Sequence, residues 1–147
     1  MIDSRSKAGR MDPQDLSSLA IEYAKNMTSI RGRRVQRLLK REFAGADHVL
    51  TVTLESGAAA VLGLSASGAA ICATDGTGRQ ASVFKWLHGA DAATETTYDL
   101  HKDSLPALSS QSVPLSRFRL QARLRLSMDS VALPARSLVA KVMDALA

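Results

Sequence analysis

The chain has 147 residues and a single cysteine, Cys72. One cysteine excludes an intrachain disulfide and a thiolate zinc site, and it fits a reducing compartment. We therefore expect a cytoplasmic protein without a metal or another cofactor. No apolar run approaches the roughly 18–20 residues that cross a membrane. Residues 1–12 lack the apolar core of a secretory signal and are expected to form a flexible segment.

Aromatic residues make up only 4% of the chain, and there are four glutamates. Alanine, leucine and valine must therefore fill the core. The three histidines, His48, His88 and His101, lie in separate predicted elements, so their spacing does not predict a metal site. The sequence also lacks the G-x-S-x-G pattern of a nucleophile elbow. These absences favour a binding protein over an enzyme.

Two helices are predicted before the first strand. Apolar residues recur at helical spacing over residues 13–30, and Gly32 interrupts the pattern. A second amphipathic helix is expected over residues 33–44. Its apolar positions are Val35, Leu38, Leu39 and Phe43.

Strands are predicted between this helix pair and a C-terminal helix that starts at Pro134. Residues 48–55 alternate apolar and polar side chains, as in a half-buried strand. Residues 79–88 fit both strand and helix, and we favour a strand. The stretch 94–100 is expected to be a short edge strand, and the Pro- and Ser-containing stretch 101–112 a loop. This order predicts an α+β domain over residues 13–147, with a mainly antiparallel sheet of about five or six strands.

Positive charge is what the sequence has in excess, with 19 Lys and Arg against 14 Asp and Glu. Most of the clustered positive charge lies in two segments. The second helix carries Arg33, Arg34, Arg37, Lys40 and Arg41. The segment "RFRLQARLRLSM" alternates apolar residues with Arg117, Arg119, Arg123 and Arg125, which predicts a strand with an arginine-lined outer face. Alternate side chains along a strand lie about 6.8 Å apart, close to the phosphate spacing of a nucleic-acid strand.

These two segments predict non-catalytic binding of nucleic acid, with the nine basic side chains as phosphate contacts. Three alternatives stay open. The arginines can form a solvated face or pair with Glu55, Glu95 or Asp99 on a neighbouring strand. The chain can be an assembly factor, adaptor or chaperone that docks an acidic protein and forms a homo-oligomer. It can also be a small RNA-cleaving protein that uses His101 or Arg119.

Overall fold

The structure is a computed structural model that describes residues 30–53, 59–74 and 79–147. Six strands form one antiparallel sheet in which the order in space is the order along the chain. They are β1 (His48–Thr53), β2 (Ala59–Leu64), β3 (Gly68–Thr74), β4 (Gln80–Leu87), β5 (Ala92–Asp99) and β6 (Ala107–Pro114). The helices are α1 (Ile30–Glu42), α2 (Leu115–Ala122) and α3 (Arg136–Ala145), and short 3-10 turns lie at Met128–Ser130 and Leu133–Ala135. The α+β class and the six antiparallel strands are confirmed.

Helices cover both faces of the sheet. Successive side chains of a strand point to opposite faces, and on β3 the side chains of Ile71 and Cys72 belong to different apolar clusters. The Ile71 cluster includes residues of α2 and α3, whereas the Cys72 cluster includes residues of α1. We call the two sides the α1 face and the α2/α3 face.

The α2/α3 face holds the larger core, and aromatic rings form its centre. The rings of Phe84 and Phe118 stack with their centroids 4.5 Å apart, and Trp86 meets Phe118 edge-on at 5.5 Å. Because Phe84 and Trp86 share one side of β4, Phe118 of α2 packs against both. Val139 and Val142 of α3 complete the closure.

The α1 face holds a smaller core under the helix. The predicted apolar positions Val35, Leu38, Leu39 and Phe43 are all buried there. Gly63 of β2 lets the ring of Phe43 lie directly on the sheet, since a Cβ at this position would stand 3.2 Å from the ring.

One prediction was wrong, because residues 117–125 do not form a strand. Residues 115–122 form α2, and the chain becomes extended only at Arg123. The eight residues of α2 carry two periods at once, since the buried Leu115 and Phe118 are three apart, as on a helix. Packing of Phe118 between two aromatic rings therefore decides the outcome over the period-two pattern.

The predicted loop over residues 101–112 is also wrong in part, because β6 starts at Ala107. Residues 107–112 are exposed on both sides, so the strand lacks the alternation that identifies a strand in a sequence. Residues 94–99 of the predicted edge strand 94–100 belong to β5, but the predicted edge position is wrong, because β5 pairs on both sides.

The strand over residues 79–88 is confirmed as β4, and the C-terminal helix as α3. The flexible segment 1–12 and the first helix, apart from Ile30, lie outside the described residues. Among the described residues, no helix is both long and apolar enough to span a membrane.

Candidate interaction surfaces

Arginines of α1 reach the turn between β5 and β6. Arg34 donates from Nη1 to the carbonyl oxygens of Leu100 at 3.0 Å and His101 at 2.7 Å. Its Nε and Nη2 each lie 3.1 Å from the Asp103 carboxylate. This one side chain therefore fastens the end of β5 to the helix.

The next two turns of α1 repeat this contact. Arg37 donates from Nη2 to the Asp103 carbonyl oxygen at 2.6 Å, and Arg41 donates from Nη2 to the Leu105 carbonyl oxygen at 3.1 Å. Leu105 is buried and has a φ of 50°, a left-handed conformation that is strained for leucine. We call Arg34, Arg37 and Arg41 the arginine ladder. It holds a turn that contains a strained residue.

The ladder changes the interpretation of the basic helix. Arginines spaced along one side of α1 predict phosphate contacts, but three of the five cations there have carbonyl and carboxylate partners within the protein. Arg33 also has an intramolecular interaction. Lys40 is exposed.

The second basic segment lies on the other side of the sheet. The side chains of Arg117, Arg123 and Arg125 are exposed, and Arg119 donates to the Ala145 carbonyl oxygen at 3.5 Å, at the end of α3. Because α1 and α2 cover opposite faces, the nine predicted residues are not brought together on one face of the sheet.

A charged cluster joins the last turn of α1 to the sheet. The Glu42 carboxylate lies 2.8 Å from Lys85 Nζ of β4 and 3.5 Å from Arg41 Nε. The Tyr98 side chain of β5 also interacts with this carboxylate, and the Arg41 guanidinium lies over the Tyr98 ring at 5.2 Å. Glu42, Arg41, Lys85 and Tyr98 form what we call the Glu42 cluster.

Titration of this cluster follows from its contacts. Burial of Glu42 acts to raise the pKa of its carboxyl group, but the bonds and charges of its partners outweigh burial, so the pKa lies below the ordinary 4.5. Burial and the nearby carboxylate raise the pKa of Tyr98 to about 12. The cluster therefore keeps the ionised Glu42 and the neutral Tyr98 at neutral pH.

Beside this cluster, α1 leaves part of the sheet uncovered. An open cavity of about 630 Å³ lies there, bounded by Phe43 and Ala46 at the end of α1 and by Leu87 and Ala90 at the end of β4. Its other lining residues include Glu42, Gly63, Ala70, Lys85, Ala92 and Thr94. The Leu87 residue is 65% exposed.

Reasoning from sequence missed this cavity. Leu87 shares its side of β4 with Lys85 and not with the buried Phe84 and Trp86. That parity, together with small residues such as Gly63 and Ala70 in neighbouring strands, was the available signal.

The described residues do not bring candidate catalytic side chains together in one site. No group of three or more His, Cys, Asp or Glu side chains suited to a metal ion occurs among them. Burial first, and then the charge of Glu42, raise the pKa of the Cys72 thiol to about 12, so this thiol is protonated at neutral pH. His101 lies in the turn held by Arg34, whereas Arg119 contacts the end of α3.

Comparisons with known proteins add no family to this picture. No family model matches the chain, and no significant match was found among curated proteins or solved structures.

Proposed function

We propose that the protein is a non-catalytic binding module that docks an acidic, partly apolar segment of another protein at the open cavity of the α1 face. One observation carries this proposal: a large exposed leucine, Leu87, borders an open cavity beside a basic helix. Partly apolar concave sites with a few polar groups are where ligands generally bind.

The walls of the cavity define the apolar part of the partner. Phe43, Ala46, Leu87 and Ala90 present carbon surface on two sides. An aliphatic or aromatic side chain placed between them would leave water, at about 25 cal/mol per Å² of buried apolar area. A phosphate group would gain nothing from this carbon surface, which favours a protein partner.

Charge beside the cavity defines the polar part of the partner. Lys85 is half-exposed in the lining, and Lys40 lies exposed on α1 two residues before Glu42. The Glu42 carboxylate is largely covered and already neutralised by Lys85 and Arg41. Carboxylates on either side of the docked apolar residue would therefore meet positive charge, which favours fast and specific association.

A defined peptide tests this function. The probe is a fluorescein-labelled peptide of alternating leucine and glutamate, and fluorescence anisotropy reports its binding to the full chain. We expect Leu87→Arg to weaken binding about tenfold or more, since a buried leucine side chain contributes roughly 1.5–3 kcal/mol. Thr94→Trp, which fills the cavity from an exposed lining position, should have the same effect.

Leu133→Arg is the matched control, because Leu133 is 73% exposed and precedes α3, which covers the other face. It should leave the affinity unchanged. Equal binding by the wild type, Leu87→Arg and Thr94→Trp would overturn the proposal. A probe with leucine replaced by serine should bind weakly to all four proteins.

Nucleic-acid binding is the second candidate, and the exposed cations of the α2/α3 face favour it. In the described part of the chain, the side chains of Arg117 and Arg125 have no hydrogen-bond or ion-pair partner. The backbone N–H of Arg125 donates to the Thr53 carbonyl oxygen at 2.8 Å, so its position is fixed against the edge of the sheet.

Labelled duplex DNA and single-stranded RNA test this candidate at two salt concentrations. Contacts to several phosphates predict a steep loss of affinity with salt, with a slope of roughly 0.9 for each phosphate of duplex DNA. Reversing the charge of Arg117 and Arg125 should reduce that slope, whereas Lys40→Glu on the other face should not. Unchanged affinity after both reversals would exclude this surface.

A further inference from the structure

The two edges of the sheet differ in what lies along them. At β1, the Arg125 N–H donates to the Thr53 carbonyl oxygen at 2.8 Å. At β6, no backbone group from outside the sheet bonds to residues 107–113 in the part of the chain that the structure describes. With respect to residues 30–53, 59–74 and 79–147, the β6 edge is therefore the open one.

The direction of the β6 hydrogen bonds follows from one contact. Leu115 donates its N–H to the Asp91 carbonyl oxygen at 2.7 Å, next to the pair Ala92 and Pro114. Bonded and non-bonded pairs alternate along an antiparallel ladder, so the odd residues 109–115 bond to β5. The backbone N–H and C=O groups of Ser110 and Ser112 therefore point away from the sheet.

Proline fits this pattern. Pro114 lies at an outward position, where its missing N–H costs no bond to β5. A bulge between Thr97 and Tyr98 leaves Leu108 as an extra residue at the other end. Residues 109–114 are thus the regular part of the open edge.

Side chains along this edge do not oppose pairing. Natural sheets protect their edges with charged side chains, above all lysine, but residues 107–114 read ALSSQSVP and contain no charge. Ser110 and Ser112 are exposed and small. The bulge limits the length of the edge, but no charge repels a second strand over residues 109–113.

We propose that β6 pairs antiparallel with β6 of a second copy of this chain, centred on Gln111. In that register Ser110 of one copy faces Ser112 of the other, and the two pairs exchange four backbone hydrogen bonds. Gln111, whose side-chain amide donates to the buried Glu95 carboxylate of its own copy at 2.7 Å, lies opposite Gln111 of the second copy on the two-fold axis, and no like charges face each other along the paired segments. The dimer joins the two six-stranded sheets into one continuous sheet.

Self-complementarity favours a second copy over an extended peptide from another protein. A two-fold axis brings the same uncharged segment to both sides of the interface. The incoming strand is already ordered by β5 through seven register pairs, so it loses less conformational entropy than a flexible peptide would. This proposal does not rest on the cavity, although Thr94 in the cavity lining is the β5 partner of Ser112.

Charge substitution with rescue tests the dimer on the full chain. We expect sedimentation velocity of the wild type to show a concentration-dependent dimer. The double variant Ser110→Lys with Ser112→Lys should be monomeric, because lysines then face each other across both pairs. The same two positions changed to glutamate should also give a monomer. An equimolar mixture of the lysine and glutamate variants should restore a dimer.

Two further variants separate pairing from folding. Ser112→Pro removes one outward N–H without touching the β5 ladder, so it should weaken the dimer at least tenfold with little change in melting temperature. Thr51→Lys, at an exposed position of β1, should leave the dimer intact. A wild type that stays monomeric at all concentrations, or a dimer unaffected by the double substitutions, would overturn the proposal.

Discussion

The two faces of the sheet are stabilised in different ways. On the α2/α3 face, Phe118 packs between two other aromatic rings, and apolar burial closes the core. On the α1 face, the helix and Phe43, which follows it, bury four apolar side chains, but the position of α1 against the β5–β6 turn is set by the arginine ladder and the Glu42 cluster. Apolar contact closes one face, whereas directional charged bonds fix α1 on the other and leave sheet surface open beside it.

The largest difference between the faces should appear when one phenylalanine is truncated on each. Phe118→Ala removes the central ring of the aromatic group, and we expect it to lower the free energy of unfolding by about 3–5 kcal/mol. Phe43→Ala, at the wall of the open cavity, should cost less because water can fill the space. Urea unfolding measures both. An equal or larger loss for Phe43→Ala would contradict the distinction between the faces.

Removing the first arginine of the ladder should have the next largest effect on the free energy of unfolding. Arg34→Ala deletes donors to two carbonyl oxygens and a carboxylate, and we expect a loss of about 2 kcal/mol. Proteolysis should begin in the turn over residues 100–106, since that turn loses its attachment. Lys40→Ala on the same helix is the control and should change stability by less than about 0.5 kcal/mol. Similar losses of unfolding free energy for Arg34→Ala and Lys40→Ala would show that the hydrogen bonds of Arg34 add no stability of their own.

Acid titration tests the Glu42 cluster. The folded pKa of Glu42 lies below its ordinary 4.5, so its ionised form adds stability above that pH, and this contribution disappears as the pH falls through the folded pKa. Glu42→Gln should therefore cost about 1 kcal/mol at neutral pH and progressively less under acid conditions. Thermal melting of both proteins between neutral pH and pH 3 measures the difference. A constant difference across this range would exclude the charge as its cause.

The smallest effect on folding is expected at the exposed leucines. Leu87→Ser and Leu133→Ser should each change the unfolding free energy by less than about 0.5 kcal/mol, because both side chains are already largely in water. Only Leu87→Ser should weaken binding of the peptide probe. A clear loss of stability for Leu87→Ser would instead give Leu87 a structural role.

Sequence patterns predicted the helices and strands that have one buried side and one exposed side. The apolar side of α1 and the strand alternation around Val52 reflect a buried side facing a solvated one, so they could be predicted. β6 could not, because backbone bonds to β5 hold it while residues 107–112 stay exposed. In α2, the alternation of arginines predicted a strand, and only the packing of Phe118 against β4 shows why it forms a helix.

Candidate surfaces were harder to predict, because an arginine's neighbours come from distant parts of the chain. Nothing near Arg34 in sequence indicates that carbonyl groups some 66 residues later will accept its hydrogen bonds. The cavity likewise depends on where α1 ends above the sheet. The basic character of α1 was evident from sequence, but not the partners of its side chains.

Cys72 allows opening of the central strand β3 to be followed by a chemical reaction of its thiol. Its thiol is fully buried, and its pKa of about 12 keeps it protonated, so an alkylating reagent reacts only when the chain opens around it. Labelling kinetics of the native protein therefore count opening events of the sheet without an added probe. Above the ordinary thiol pKa of 9.0 the unfolded chain releases a proton that the folded chain retains. Folding should accordingly weaken as the pH rises from about 9 towards 12.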